Sequence, residues 1–338
     1  MTDEGLYRVN CLNPQRIVYL FRTMLWILLA LTGAVANAAY YIIIKKYIGI
    51  LSPQVLTGAG FSLGGLLLLA FCAYRGIPFT GPDFYYAIII TTVLNIISLR
   101  LIFSALGSTD LSLSVPMLSF TPVFLIGTSY ILLHELPSLL GVAGICIIVA
   151  GSYVLNISEQ HEHLADPVRS MIRNRGSWYM LIVAFLFAVS INFDKIVLIN
   201  SDPVFGIALT VLLIGLSFLL AVAFRIFVCR RDMLPGNPSG SSVPADVTNG
   251  ENHSRSLPGT AVYAVPVLLI GSFVAVEAAS INTAFTLQIV PYVIAIKRMS
   301  IIITVLYGTI IFSETEVMKR LAGALLMVSG AVLILLTA

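Results

Sequence analysis

Charge is what this sequence has least of. Only 10% of its residues are Asp, Glu, Lys or Arg, where a soluble domain carries about a quarter. The four cysteines (Cys11, Cys72, Cys146 and Cys229) hold no metal-ligand spacing. Those inside apolar stretches read as small apolar side chains. There is no Gly-x4-Gly-Lys-Ser/Thr loop, so ATP is not expected to drive the protein directly. No HExxH or Ser/His/Asp arrangement stands out, and no cofactor or enzyme activity is expected. His161 and His163 lie in a mixed-charge stretch and read as solvated surface. No basic run is long enough to suggest nucleic acid. The N-terminus lacks the order of a cleaved signal peptide, so the first apolar stretch is expected to serve as the insertion signal.

What is abundant is apolar sequence. Hydrophobic residues make up 58% of the 338, and mean hydropathy is +0.98. No soluble core could hide so much, so the solvent is read as lipid. Ten apolar stretches can be drawn, near 24–44, 54–74, 84–106, 111–133, 138–156, 178–199, 204–228, 259–283, 287–312 and 317–337. Most connections are short, which makes neighbouring helices antiparallel. The stretch 157–177 is polar and reads as a linker. The stretch 230–258 is rich in Gly, Ser, Pro and Asn, which reads as a flexible loop.

The chain repeats weakly. An offset of 179, from Glu135 to Glu314, also pairs Ile102 with Ile281, Gly144 with Gly323 and Gly151 with Gly330. An offset of 150 pairs Lys45 with Lys195 and Pro53 with Pro203. Five spans is an odd number, so tandem five-span halves insert in opposite orientations. The expected fold is therefore all-α integral membrane, with ten transmembrane helices as two inverted five-helix repeats. A tail (1–23) precedes the first repeat (24–156), and the second (178–338) follows the linker.

The segment ALGSTDLSLSVPMLSFTPVFLIGTSYILLHELPSLLGVAGICIIVAG (105–151) resembles helices four and five of an EamA-type repeat of the drug/metabolite transporter superfamily. The features are a small-residue turn, Thr121-Pro122, Glu135 at the helix end, and Gly144 with Gly151. The second copy (296–330) keeps Glu314, Gly323 and Gly330 but carries Lys297-Arg298 in place of Thr-Pro. The stretch 192–203 is similar to the start of the second repeat. The resemblance implies a central cavity and alternating-access transport of a small metabolite. It also implies cytoplasmic termini, whereas the Lys and Arg distribution favours the inverse; the family orientation is kept, and a plasma-membrane location is expected. Asn156 and Asn252 each open an Asn-x-Ser sequon, and both would lie on one side.

Intramembrane charges are the sharpest signals, because an ion at the bilayer centre costs at least about 2.5–3.5 kcal/mol on insertion scales. Lys297 and Arg298 fall mid-way along the ninth stretch. They read either as a structural charge pair or as an anion site for the substrate, since Arg offers a fork suited to carboxylate or phosphate. The phosphate-translocating branch of the superfamily is similar in having such a pair. Glu277 in the eighth stretch sits at comparable depth and reads as their counter-ion, with pairing or proton-linked gating both open. Lys45 and Lys195 read as cavity-rim groups, and Ser119 and Thr121 as weak polar ligands. Lys46 and Arg100 read as snorkelling to the interface. Glu135 and Glu314 read as caps of the helices that follow them. Pro116, Pro122 and Pro291 read as kinks beside a gate, or as packing. The expected function is secondary transport of a small polar metabolite, with an anion as the class those cations suit. Coupling to a proton or an exchanged metabolite would drive it. The alternatives are an exporter of amino-acid-like or amphipathic compounds, and a non-transporting scaffold.

Overall fold

The computed structural model describes residues 14–47, 52–108, 115–156, 175–232, 260–304, 307 and 317–337. The described residues are helical, with no strand among them. In chain order the helices are α1 (Pro14–Tyr47), α2 (Pro53–Arg75), α3 (Phe84–Ser108), a 3-10 turn (Val115–Phe120), α4 (Thr121–Leu133), α5 (Leu139–Asn156), α6 (Arg175–Ile199), α7 (Phe205–Asp232), α8 (Thr260–Phe285), α9 (Val290–Lys297) and α10 (Val317–Leu335). Six of them are long and apolar enough to cross a membrane: Phe21–Ile44, Pro53–Arg75, Phe84–Ile102, Trp178–Ile199, Phe205–Phe227 and Ala264–Phe285. Met117–Leu133, Leu139–Leu155 and Leu321–Leu335 are shorter apolar helices.

Helix starts follow local chemistry. Ser52 caps α2 by accepting from Val55 N, with Pro53 in the first turn. Asp202 accepts from Val204 N and Phe205 N at the start of α7. Pro122 and Pro291 also lie in first turns, where a missing N–H costs nothing. They begin α4 and α9 and do not kink them, contrary to the kink reading. The proline inside a helix is Pro266, in α8.

Polarity is arranged inside out. Leu66, Ile89, Phe185, Leu220 and Val332 are exposed, while Thr91, Ser98, Ser129, Ser190 and Asn192 are buried. Water would penalise so wide an apolar exterior; hydrocarbon does not. The main packing partners are α5 with α10, α2 with α7, α3 with α6 and α1 with α8.

Helices α5 and α10 approach most closely at glycines. A Cβ on Gly144 would stand 2.8 Å from Gly330 O, and one on Gly330 would stand 2.6 Å from Gly144 O. The second pair is reciprocal too, with Gly151 at 2.7 Å from Gly323 O and Gly323 at 2.8 Å from Gly151 O. Backbone atoms cannot swing aside as side chains do, so the helices would have to part. The Gly151→Val protein is therefore expected to lose about 1–3 kcal/mol of stability through overpacking. A lowered unfolding temperature in detergent is the check; an unchanged one would show that the crossing relaxes freely.

Candidate functional site

A break in α9 builds the centre of the site. The helix ends at Lys297, Arg298 and Met299 form a turn, and helix resumes at Ser300. Across the break the bonds tighten to the i,i−3 pattern: Met299 N to Ile296 O at 2.9 Å, Ile301 N to Arg298 O at 3.0 Å and Ile302 N to Met299 O at 3.1 Å. Neither Gly nor Pro stands there, so the sequence carries no local signal for it. The whole of Val290–Ile296 is buried. The cation at Lys297 thus sits on the C-terminal end of a buried short helix, where the helix dipole favours positive charge.

Glu277 of α8 answers it. The Lys297 Nζ lies 2.5 Å from Glu277 Oε1, with the two side chains 26% and 15% exposed. The pair lies within the bundle and is not fully enclosed. Asn37 Nδ2 of α1 donates to the same Oε1 at 2.9 Å. The counter-ion expected for the ninth-stretch cations is thus in place, on Lys297. Arg298 is arranged otherwise: its Nε is buried and has no hydrogen-bond partner. Tyr41 and Glu277 stand within its electrostatic reach.

A polar seam runs beside this centre between α3 and α6. Thr91 Oγ1 lies 2.5 Å from Asp194 Oδ1 and 2.8 Å from Ser190 Oγ. Asn95 Nδ2 donates to Ser190 Oγ at 2.7 Å. Lys297 is within electrostatic reach of Asp194, so two carboxylates face one ammonium. The hydroxyl that bonds Asp194 comes from another helix, and no sequence spacing joins the two.

The other expected residues lie elsewhere. Lys195 is ion-paired with Glu135, the side chains 11% and 14% exposed. Glu135 Oε2 also accepts from Val290 N at 2.8 Å. Glu135 therefore caps α9 and not the helix that comes after it; Ser138 caps α5, accepting from Gly141 N. The reason is the end of α4. His134 adopts a left-handed φ of 55°, and Glu135 N bonds Ser129 O at 3.2 Å. This closure, which spans the seven residues 129–135, turns the chain toward α6 and α9. Tyr292 O–H joins the contact, accepting from Ser138 N at 3.0 Å. Ser119 and Thr121 are buried. Ser119 Oγ bonds Ser152 Oγ at 2.6 Å, and Thr121 Oγ1 donates to Leu118 O at 2.7 Å. Neither is joined by a described hydrogen bond to Glu277 or Lys297. Arg100 is exposed, in line with the interface reading. The Lys45 side chain, Glu314, both histidines of the linker, the linker as far as 174 and the flexible loop from 233 lie outside the described residues; 175–177 and 230–232 belong to α6 and α7 instead.

Apolar helices, buried charges and a broken helix together describe a membrane protein with a polar interior. Residues 24–157 match the EamA-like transporter family. The EamA-like segment thus covers α1 through α5, and a membrane transporter is the functional class it indicates. No curated protein matches the chain. A protein known from a crystal structure shares the fold, with a TM-score of 0.67 and 15% identity over 92% of this chain and 97% of that one. At that identity the likeness concerns the fold alone.

The contact at Glu135 gives a stability prediction. Removing one partner of a buried pair strands the other charge, at a cost of about 3 kcal/mol. Glu135→Gln is expected to destabilise the protein by about that amount, and adding Lys195→Met to restore much of it. Unfolding in detergent of the single and double variants measures both. Additive losses would mean that the pair is not energetically coupled.

Proposed function

We propose that this protein is a secondary transporter of a small polar metabolite, anionic in class, which works by alternating access. The observation that carries this reading is Arg298. A buried guanidinium Nε without a partner is costly, and a carboxylate or phosphate is the ligand whose geometry satisfies it. Lys297 beside it offers a second cation, held by Glu277 in the absence of substrate. An arriving anion competes with Glu277 for that ammonium, so binding and loosening of α8 from α9 become one event.

The packing supports two inverted five-helix repeats. Exchanging α1 with α6, α2 with α7, α3 with α8 and α5 with α10 maps the main helix pairs onto one another or onto themselves. The glycine contacts obey the same exchange, since the offset of 179 turns the Gly144–Gly330 pair into Gly323–Gly151. It also places the 3-10 turn Val115–Phe120 opposite Ile294–Met299, where α9 breaks. Interrupted helices at matching positions of two repeats favour a site between them. The repeats, 24–156 and 178–338, would then rock about the glycine crossings, with ten helices in the bilayer.

Flux in proteoliposomes tests the proposal, with inorganic phosphate and a dicarboxylate opening the panel of anions. Saturable counterflow is expected in the wild type. Arg298→Ala is expected to lower it by at least about tenfold, which corresponds to about 1.4 kcal/mol of lost stabilisation. Lys297→Ala is expected to weaken it less, because it also frees Glu277. Flux retained in both variants would assign these charges a structural role. Absence of flux across the panel would count against an anion carrier and favour the scaffold reading.

A further inference from the structure

Among the carboxylates of the interior, Asp194 has surroundings that suit both of its charge states. Its partner Thr91 carries a hydroxyl, which can donate or accept. When Asp194 is ionised, Thr91 donates to Oδ1 across 2.5 Å. When Asp194 is protonated, the carboxyl donates to Thr91 Oγ1. The Thr91 hydrogen then turns to Ser190 O at 3.3 Å or Ser190 Oγ at 2.8 Å. Ser190 in turn can donate to Thr91 O at 3.4 Å, and Asn95 keeps its bond to Ser190 Oγ throughout. Thr91, Ser190 and Asn95 thus keep hydrogen-bond partners in both states. Glu277 differs, because an amide and an ammonium hold its Oε1 and both only donate. No described hydrogen bond joins Glu277 to a hydroxyl that could accept from it.

We propose that Asp194 is a proton-binding site, and that it loads one proton with each monovalent substrate anion. This deepens the transport reading of the Lys297 and Arg298 centre and rests on it for the coupling. The charge balance argues for one proton. With Glu277 and Asp194 ionised, Lys297 and Arg298 neutralise them and the empty centre carries no net charge. A bound anion adds one negative charge in a medium where uncompensated charge is expensive. A proton taken from the same aqueous side onto Asp194 restores neutrality, and it leaves with the anion on the other side. Lys297 is then released from Asp194 and faces the substrate.

The groups around Asp194 leave it free for this role. Lys297 from α9 is the charged group in its reach, shared with Glu277 from α8. From α3 come Thr91 and Asn95, which do not titrate. On α6 itself, Lys195 is committed to Glu135. From α4, Thr128 and Ser129 bond Asn192, while α7 brings apolar Phe205 and Leu209 beside Phe193 and Val197, and the 3-10 turn sets Met117 against Met180, on another part of α6.

Two measurements on the same proteoliposomes test the proposal. The first is infrared difference spectroscopy between acidic and alkaline buffer, which needs no substrate. The titrating carboxyl absorption of the wild type and of Glu277→Gln is expected to contain a component that Asp194→Asn lacks, above the background of the other acidic side chains. A spectrum of Asp194→Asn that matches the wild type across the carboxyl region overturns the proton site. The second is inorganic phosphate transport. An inward proton gradient is expected to accelerate wild-type uptake. Asp194→Asn, an uncharged mimic of the protonated form, is expected to lose at least about tenfold of that uptake while keeping counterflow at equal pH. Counterflow and gradient-driven uptake falling together would overturn the coupling role. If wild-type protein moves no phosphate, the transport reading fails for that anion, while the infrared band still decides Asp194.

Discussion

Everything in the interior depends on one constraint: in hydrocarbon, a charge must be answered by another charge or by a fixed dipole. Helix α9 shows the consequence most fully. Its eight residues span about 12 Å at 1.5 Å per residue, and from Val290 to Ile296 they are buried. So short a buried helix has most of its terminal N–H and C=O groups to satisfy from outside. Glu135 supplies a carboxylate at its N-terminus and Lys297 an ammonium at its C-terminus. Each of those charges is then paired in turn, Glu135 with Lys195 and Lys297 with Glu277.

The chain of pairs makes α9 a lever. Its first turn is tied to α6 through Glu135 and Lys195 and to the α4–α5 connection through Tyr292. Its last turn is tied to α8 and α1 through Glu277 and Asn37. The helix between is closely packed, so a shift at one end is transmitted to the other instead of being absorbed locally. Tight turns at Arg298 and Met299 decouple the helical residues from Ser300 onward. Motion at the charged centre can thus reach the far contact at Glu135 through a rigid element.

Sequence reading reached the parts of this that depend on composition and depth. All-helical structure and lipid exposure came from the scarcity of charge, and the nearness of Glu277 to Lys297 from counting residues to the ends of their stretches. What it missed was decided by three-dimensional context. Glu135 precedes a helix, and dipole reasoning assigned it there. The left-handed His134 redirects it to α9, and histidine, although it enters that conformation more readily than most residues, marks it less clearly than glycine. The break after Lys297 has no Gly or Pro to mark it. Thr91 and Asp194 meet across two helices 103 residues apart in sequence, and neither residue alone suggests the other. Ser119 and Thr121 show the converse: their residue types suit a cavity, but their bonds to Ser152 and Leu118 hold them.

The asymmetry between the two cations of the centre is its most informative property. Lys297 has a flexible stem and can follow Glu277, Asp194 or a ligand. Arg298 lies at the helix break, with its Nε buried and without a hydrogen-bond partner although Glu277 stands within its electrostatic reach. A purely structural device would be expected to satisfy both, since the cost of a stranded buried donor falls on the folded state. Leaving the stiffer cation incompletely bonded, beside a flexible one already neutralised, keeps the interior electrically balanced while reserving directional donors. On the proposed reading, an interior built this way tolerates being empty and still favours an anion when one arrives.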